Sequence, residues 1–377
     1  MFVELHMIQN FGPSCLNRDD TNTPKDCQFG GFRRARISSQ CLKRAMRQYF
    51  SGMDDFEGNL GVRTRMLPRK VIDALIASGK DEENAEKVVQ TALNGIGLKV
   101  DGKDANRTEV ILFLNADTPD KFAATILGDW DAFSEKKISS NALKKLDPIL
   151  REIQEDLNAD IALFGRMVAT KTDLNVDSSC YVAHAISTHK VDMEMDFFTA
   201  IDDLQEETES GAGMMGMVLY NSSCFYRYAV IDIGQLTSNL NGDFKKTLTI
   251  LKGFIEAAIR AIPTGKQTSM AAFNLPDFIM ATIRNDQPWS LVNAFVAPTK
   301  IGIKNTDLIS QSIKKLDTYF KEMGELYEFL GEIDVYYCQT GDPTVEYISE
   351  VGNHHKTVNG LITSLGERIL ERNSSSA

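Results

Sequence analysis

The chain has 377 residues, 43% of them hydrophobic and 25% charged, with a formal net charge of −11. That length allows two or three structural units, and that composition excludes wholesale disorder. There is no run of about 18 apolar residues, which excludes a transmembrane helix, and six cysteines (15, 27, 41, 180, 224 and 338) form no C-x-x-C pair, which excludes common zinc and thioredoxin spacings and fits a reducing cytoplasm.

Residues 1–10, MFVELHMIQN, read as a strand, with Val3, Leu5 and Met7 alternating against Glu4 and His6. The stretch has no basic n-region and so is not a secretory signal. A long loop follows, FGPSCLNRDDTNTPKDCQFGGFRRAR, of a length that is usually functional or disordered. SSQCLKRAMRQYF reads as a helix with Ser38 or Ser39 as N-cap and an apolar stripe of Leu42, Ala45, Met46 and Tyr49. Lys43 and Arg47 lie one turn apart on another face. From about 58 to 180 the chain is helical and charged, with helices expected at 69–78, 83–95, 118–126, 142–156 and 160–169 and a strand at 110–115.

After a mixed segment at 181–190, FFTAI and MVLY read as two arms of a projecting hairpin, with GAGMMG near its tip. Residues 192–209 hold eight carboxylates and no Lys or Arg, so this arm is solvated. FYRYAVIDI (225–233) is a strand, and 244–262 is an amphipathic helix ending at Pro263. The motif PTGKQTSMAAFNLPDF precedes a strand at 291–297, a helix near 306–330, a strand at 335–338 and a terminal helix at 356–372. No repeat of fixed period appears, and strands separated by helices around a helical insertion give an α+β class.

The negative total conceals a basic island. Between Arg18 and Arg47 stand eight basic residues (18, 25, 33, 34, 36, 43, 44, 47) and three acidic ones, a local +5 against −16 elsewhere. Such an island either grips a polyanion or is a solvated basic face. GGFRRARISS favours phosphate: two glycines admit close backbone approach, three arginines can grip bidentately, and a helix start at paired serines offers free amides. Met214 and Met215, between Gly213 and Gly216, read either as an apolar wedge between bases or as a tip folded onto the core. Catalytic signals are poor. His184 and His189 have no nucleophile beside them, the carboxylates at 192–209 lack calcium-loop order, and PTGKQT lacks the G-x-x-x-x-G-K-[ST] spacing. The expectation is no enzyme activity, no cofactor and no metal.

PSCLNRDD, FGGFRRARISSQCLKRAMR, ALFGRM, VAHAISTHKVD, DFFTAIDDLQEE, FYRYA and KQTSMAAFN together resemble the CasC backbone-subunit family of the type I-E Cascade complex, in order from about residue 3 to 298. The resemblance implies a modified RNA-recognition-motif (ferredoxin-like) palm at 1–57, 181–192 and 225–377, a helical fingers insertion at 58–180 and a thumb at 193–224. It also implies several copies aligned head to tail along one CRISPR guide RNA, beside other Cascade subunits, kinking the guide periodically and presenting it to a target DNA strand in antiviral defence. Arg18, Lys25, Arg33, Arg34, Arg36, Lys43, Arg44 and Arg47 fall in the segment resembling the guide groove. Ser39 and Gln40 add neutral hydrogen bonds there, and Lys266 and Gln267 a further contact. Met167 and the Met214–Met215 pair fall where the family places base-displacing apolar residues. Lys136, Lys137, Lys144 and Lys145 fall where fingers lysines face DNA, the plain alternative being a solvated helix face. Phe32 stands where the family often has a basic residue. The rival reading is an RNA-guided endoribonuclease using His184 or an acidic thumb residue; a third is a pure assembly protein.

Overall fold

A computed structural model describes all residues of the chain except 136, 201–213, 301–306, 329–332, 342–344 and 377. It divides into two compact units, one comprising 1–49, 181–232 and 251–377, the other 50–180 and 233–250.

Unit one is built from strands β1 (Phe2–Ser14), β2 (Asp26–Phe29), β3 (Phe32–Ile37), β4 (Ala185–Ser187), β5 (Glu194–Ala200), β6 (Met214–Asp232), β7 (Phe278–Arg284), β8 (Asp334–Gln339) and β9 (Asn353–His354). Its helices include α1 (Ser39–Phe50), the second half of α2 (Phe244–Arg260), α3 (Gln267–Met270), α4 (Leu308–Tyr327) and α5 (Val358–Ser376). The sheet order is β9-β8-β7-β1-β6-β4-β3-β2, with β5 paired to β6. Leu5 of β1 stands opposite Ala229 on one side and Ala281 on the other, both antiparallel.

The alternation expected along β1 is absent: residues 3–9 are all buried. A central strand with both faces covered has no solvent side. On one face Ile8 joins Tyr226, Tyr228, Phe278, Phe295 and, from α4, Leu316 and Phe320. On the other, the Arg227 guanidinium donates to the Ala258 carbonyl of α2 (2.6 Å). Glu4 and His6 therefore sit in the core and need partners. The Glu4 carboxylate accepts from Tyr228 Oη (2.6 Å), Thr282 Oγ1 (2.8 Å) and the Trp289 amide (2.6 Å), and burial still raises its pKa. His6 Nδ1 meets Tyr226 Oη at 2.9 Å, and burial lowers its pKa to about 3.

Two sequence expectations are corrected here. The long loop at 11–36 is largely ordered: β1 runs to Ser14, and β2 and β3 form a hairpin around Gly30 and Gly31, both at positive φ (59° and 80°), as its two-residue turn requires. Residues 291–297 are not a strand but a 3-10 turn, Val292–Phe295. The Leu291 amide donates to Tyr226 Oη (3.1 Å) and Phe295 is buried, so the segment lids the sheet face instead of extending it.

Unit two packs helices Leu67–Ala77, Glu82–Gly95, Thr118–Gly128 and Asp147–Glu155 around Val71, Leu75, Val89, Leu93, Phe122 and Leu146. Asp81 caps the second of these, accepting from the Asn84 amide (3.0 Å). The helix expected at 142–156 is broken into Ser140–Leu143, a 3-10 turn and Asp147–Glu155, restarting where Pro148 supplies no amide hydrogen. The helix expected at 160–169 is Ala159–Phe164, ending at Gly165 with φ +72°. Among the described residues, no helix is long and apolar enough to cross a membrane.

Candidate nucleic-acid interface

The basic island folds into a braced platform. Asp19 accepts from the amides of Thr21 and Thr23 (both 2.9 Å), and hydrogen bonds, that from the Thr21 side chain foremost, hold its carboxyl below the ordinary range. Arg18 donates to Asn22 Oδ1 (2.9 Å), and the Lys25 amide to the Asn17 carbonyl (2.8 Å). Asn17 Oδ1 accepts the Ser38 amide (2.8 Å), tying this turn to the start of α1. Ser38 Oγ in turn accepts the Cys41 amide (3.3 Å), so Ser38 is the cap and Ser39 the first helical residue.

Between turn and helix lies a cleft of about 310 Å³ lined by Arg18 and Asp19 of the turn, Arg44 and Gln48 of α1, and Pro263, Thr264 and Gly265. Gly265 is required by contact: a Cβ there would lie 2.4 Å from the Leu16 carbonyl oxygen. Arg18 and Arg44 line this cleft, and Lys25 and Arg36 line an adjoining hollow that shares Leu16 and Asn17 with it. Burial raises the Cys15 thiol against the pull of Arg18 and Lys266, and raises the Cys41 thiol against that of Lys25 and Arg44. Partial desolvation, then the charges of Arg36 and Lys25, lower the pKa of His184. Arg18, Lys25, Arg36, Arg44 and Lys266 thus come together; Lys43 and Arg47 are half-buried one turn apart on α1, with Ser39 half-buried and Gln40 exposed at its start.

Two expected contacts are withdrawn. Arg34 is fully buried, its guanidinium donating to the carbonyls of Ser187 (3.0 Å), Phe295 (2.6 Å) and Val296 (3.2 Å), so it holds the protein together and cannot meet a phosphate. The Gln267 amide donates to the Pro263 and Ala272 carbonyls (3.0 and 3.1 Å), which commits its hydrogens to the loop. Arg33 is exposed and ion-paired with Asp26. Phe32 is part-exposed at the hairpin end, opposite Phe29. Hairpin alternation is the signal that would have separated Arg33 from Arg34.

RNA readers of sheet type stack bases on sheet aromatics. Here Tyr226 and Tyr228 are buried beneath Leu291, Phe295 and α4, so that face offers no platform.

In unit two, Met167 is 81% exposed on a rigid support. Buried Arg166 beside it donates to the carbonyls of Leu174 (2.7 Å), Ile153 (2.9 Å) and Phe113 (3.2 Å), while Arg166 and Val176 exchange backbone hydrogen bonds. In unit one, Met214 and Met215 stand in the paired strand β6, opposite Ala200 and Thr199, rather than at a loop tip; their side chains, and residues 201–213, lie outside the described residues. Sequence reasoning missed an exposed apolar face on this hairpin, Met195 and Phe197 with Met217, signalled by their alternation with Glu194 and Asp196.

Lys136 lies outside the described residues. Lys137, Lys144 and Lys145 are exposed in unit two, Lys145 paired with Asp129 (2.6 Å). His184 Nδ1 meets Arg36 Nη1 at 3.1 Å. Because a guanidinium only donates, Nδ1 is the acceptor and the ring proton sits on Nε2. His189 Nε2 accepts the Cys224 amide (3.2 Å), a structural role.

One solved chain, described as "CRISPR RNA-guided surveillance complex, pre-nicking", superposes with TM-score 0.85 at 28% identity, covering 98% of this chain and 100% of that one. Another, described as "CRISPR RNA-guided surveillance complex", gives TM-score 0.75 at 24% identity over 98% and 100%, which speaks to the fold. No curated protein sequence matches. The family described as CT1975-like protein matches residues 3–364, nearly the whole length, and the chain belongs to that family.

Proposed function

We propose that this chain is a non-catalytic backbone subunit of a CRISPR surveillance complex, of the type I-E CasC kind, binding guide RNA through its phosphates without reading sequence. The observation that carries this reading is the cleft of unit one, where Arg18 from the turn and Arg44 from the body of α1 face the 263–265 segment, with further exposed and half-buried cations of residues 25–47 around it. The likeness to chains described as CRISPR RNA-guided surveillance complex supports the same class of partner. In this reading unit one carries palm and thumb and unit two the fingers. The order β1, α1, β4, β6, α2, β7, with β1 between β6 and β7, fits a ferredoxin-like palm. Met167, on its braced loop, and the Met214–Met215 segment supply the apolar kink in the guide. Lys137, Lys144 and Lys145 contact target DNA, and further copies extend the assembly along the guide.

The endoribonuclease alternative has less support. In His184, Nδ1 is engaged by Arg36 and Nε2 carries the proton, so neither nitrogen is free to take a proton from a ribose hydroxyl.

The test is to purify the full chain from cells supplied with a CRISPR transcript and sequence the RNA that accompanies it. Short RNAs sharing a repeat-derived handle with varied spacers are expected. Clean, monomeric protein would overturn the proposal.

A further inference from the structure

The segment that closes the basic cleft continues into a loop that the proposed groove does not use. Phe273 is 65% exposed and Leu275 50% exposed. Isolated exposed apolar side chains are ordinary; here the scaffold invested beneath them is not. Gln267 donates to the Ala272 carbonyl (3.1 Å) just before Phe273, and Gln9 to the Asn274 carbonyl (2.6 Å) just after it. Gln9 is fully buried and is itself held by Arg227 (2.6 Å), whose other arm reaches Ala258 (2.6 Å). Lys266 and Ala271 both adopt positive φ (53° and 49°), a conformation residues with side chains rarely occupy. The ring at 273 is therefore presented to solvent from a backbone fixed on both sides.

We infer that Phe273 is a stacking platform for one base of the bound single strand, with Leu275 flanking it. This rests on the RNA-binding reading above. What favours a base over a protein partner is continuity. The same loop begins as the cleft wall at Pro263, Thr264 and Gly265, where Gly265 packs against the Leu16 and Cys15 carbonyls, and carries Lys266 next to that contact. A strand held by its phosphates at Arg18, Arg44 and Lys266 presents bases beside them, and an aromatic face takes any base without sequence preference.

The test uses the full-length chain and fluorescence anisotropy with a labelled oligouridylate and an abasic oligomer of equal length. Phe273→Ala is expected to weaken oligouridylate binding about 10-fold and leave the abasic oligomer unaffected. Phe273→Trp is expected to retain affinity and to show indole fluorescence quenched by the oligouridylate. Unchanged affinity for both oligomers in Phe273→Ala overturns the inference. So does unchanged affinity accompanied by loss of self-association in light scattering, which would assign the ring to a second copy. Wild-type protein binding neither oligomer would overturn the RNA-binding reading as well, so the two failures are distinguishable.

Discussion

Arg34 and Arg44 lie ten positions apart in one basic segment, yet the structure gives them opposite roles, and the salt dependence of RNA binding separates these. Seven cations line the cleft, share its helix or lie next to it: Arg18 and Arg44 in its lining, Lys43 and Arg47 on α1, Lys25 and Arg36 in the adjoining hollow, and Lys266 beside Gly265. If each neutralises one phosphate of a single strand, counterion release at about 0.7 per contact gives a log–log salt slope of about −5. Raising salt fourfold, from about 50 to about 200 mM, then weakens binding about 1,000-fold. Arg44→Ala should make the slope shallower by about 0.7 and leave folding intact, because Arg44 is exposed. Arg34→Met should leave the slope alone. It strands the Ser187, Phe295 and Val296 carbonyls, at about 1 kcal/mol each, and should cost about 3 kcal/mol of stability. Anisotropy titrations with labelled RNA across that salt range, paired with urea unfolding of each variant, measure both quantities. The reasoning is refuted if Arg34→Met flattens the slope as much as Arg44→Ala while stability holds, or if the wild-type slope is near zero.

Three further outcomes are expected. Gly265→Ala puts a Cβ 2.4 Å from the Leu16 carbonyl oxygen and 2.7 Å from that of Cys15, so it should part the cleft walls, costing about 1–3 kcal/mol of stability and several-fold in RNA affinity; unaltered affinity in the same titration would contradict the cleft. His6 has a folded pKa of about 3 against 6.5 unfolded, so its contribution is complete above about pH 6.5 and is lost as pH falls toward 3. Glu4, with its pKa raised, acts in the opposite sense, its contribution being lost as pH rises. The wild-type advantage over His6→Gln should therefore shrink by up to about 5 kcal/mol between pH 7 and acid, read from urea midpoints, and a pH-independent difference would exclude this account. Arg166→Met deprives three carbonyls of their donor and should lower unit-two stability by about 3 kcal/mol and speed hydrogen exchange at the Val176 amide; native-like exchange there would show that Met167 does not depend on this brace.

Much of this molecule was legible in the chain alone. The α1 stripe of Leu42, Ala45 and Met46 behind a serine cap, the aromatic run 225–233 and the concentration of cations at 18–47 are local patterns, and local hydrogen bonding and side-chain periodicity produce what they announce. The basic cleft was half legible: its cations are contiguous, but its second wall at 263–265 comes from more than 200 residues away. Tertiary structure alone decided the rest. Periodicity says which residues share a face but not whether that face is covered, so Glu4 and His6 read as a solvent side and became a buried network once residues 289–295 and α4 closed over β1. Arg34 reads as one more phosphate ligand. It became a core residue because β3 pairs with β4 and because the carbonyls that satisfy its charge arrive from 153, 261 and 262 positions along the chain, partners that no local pattern encodes.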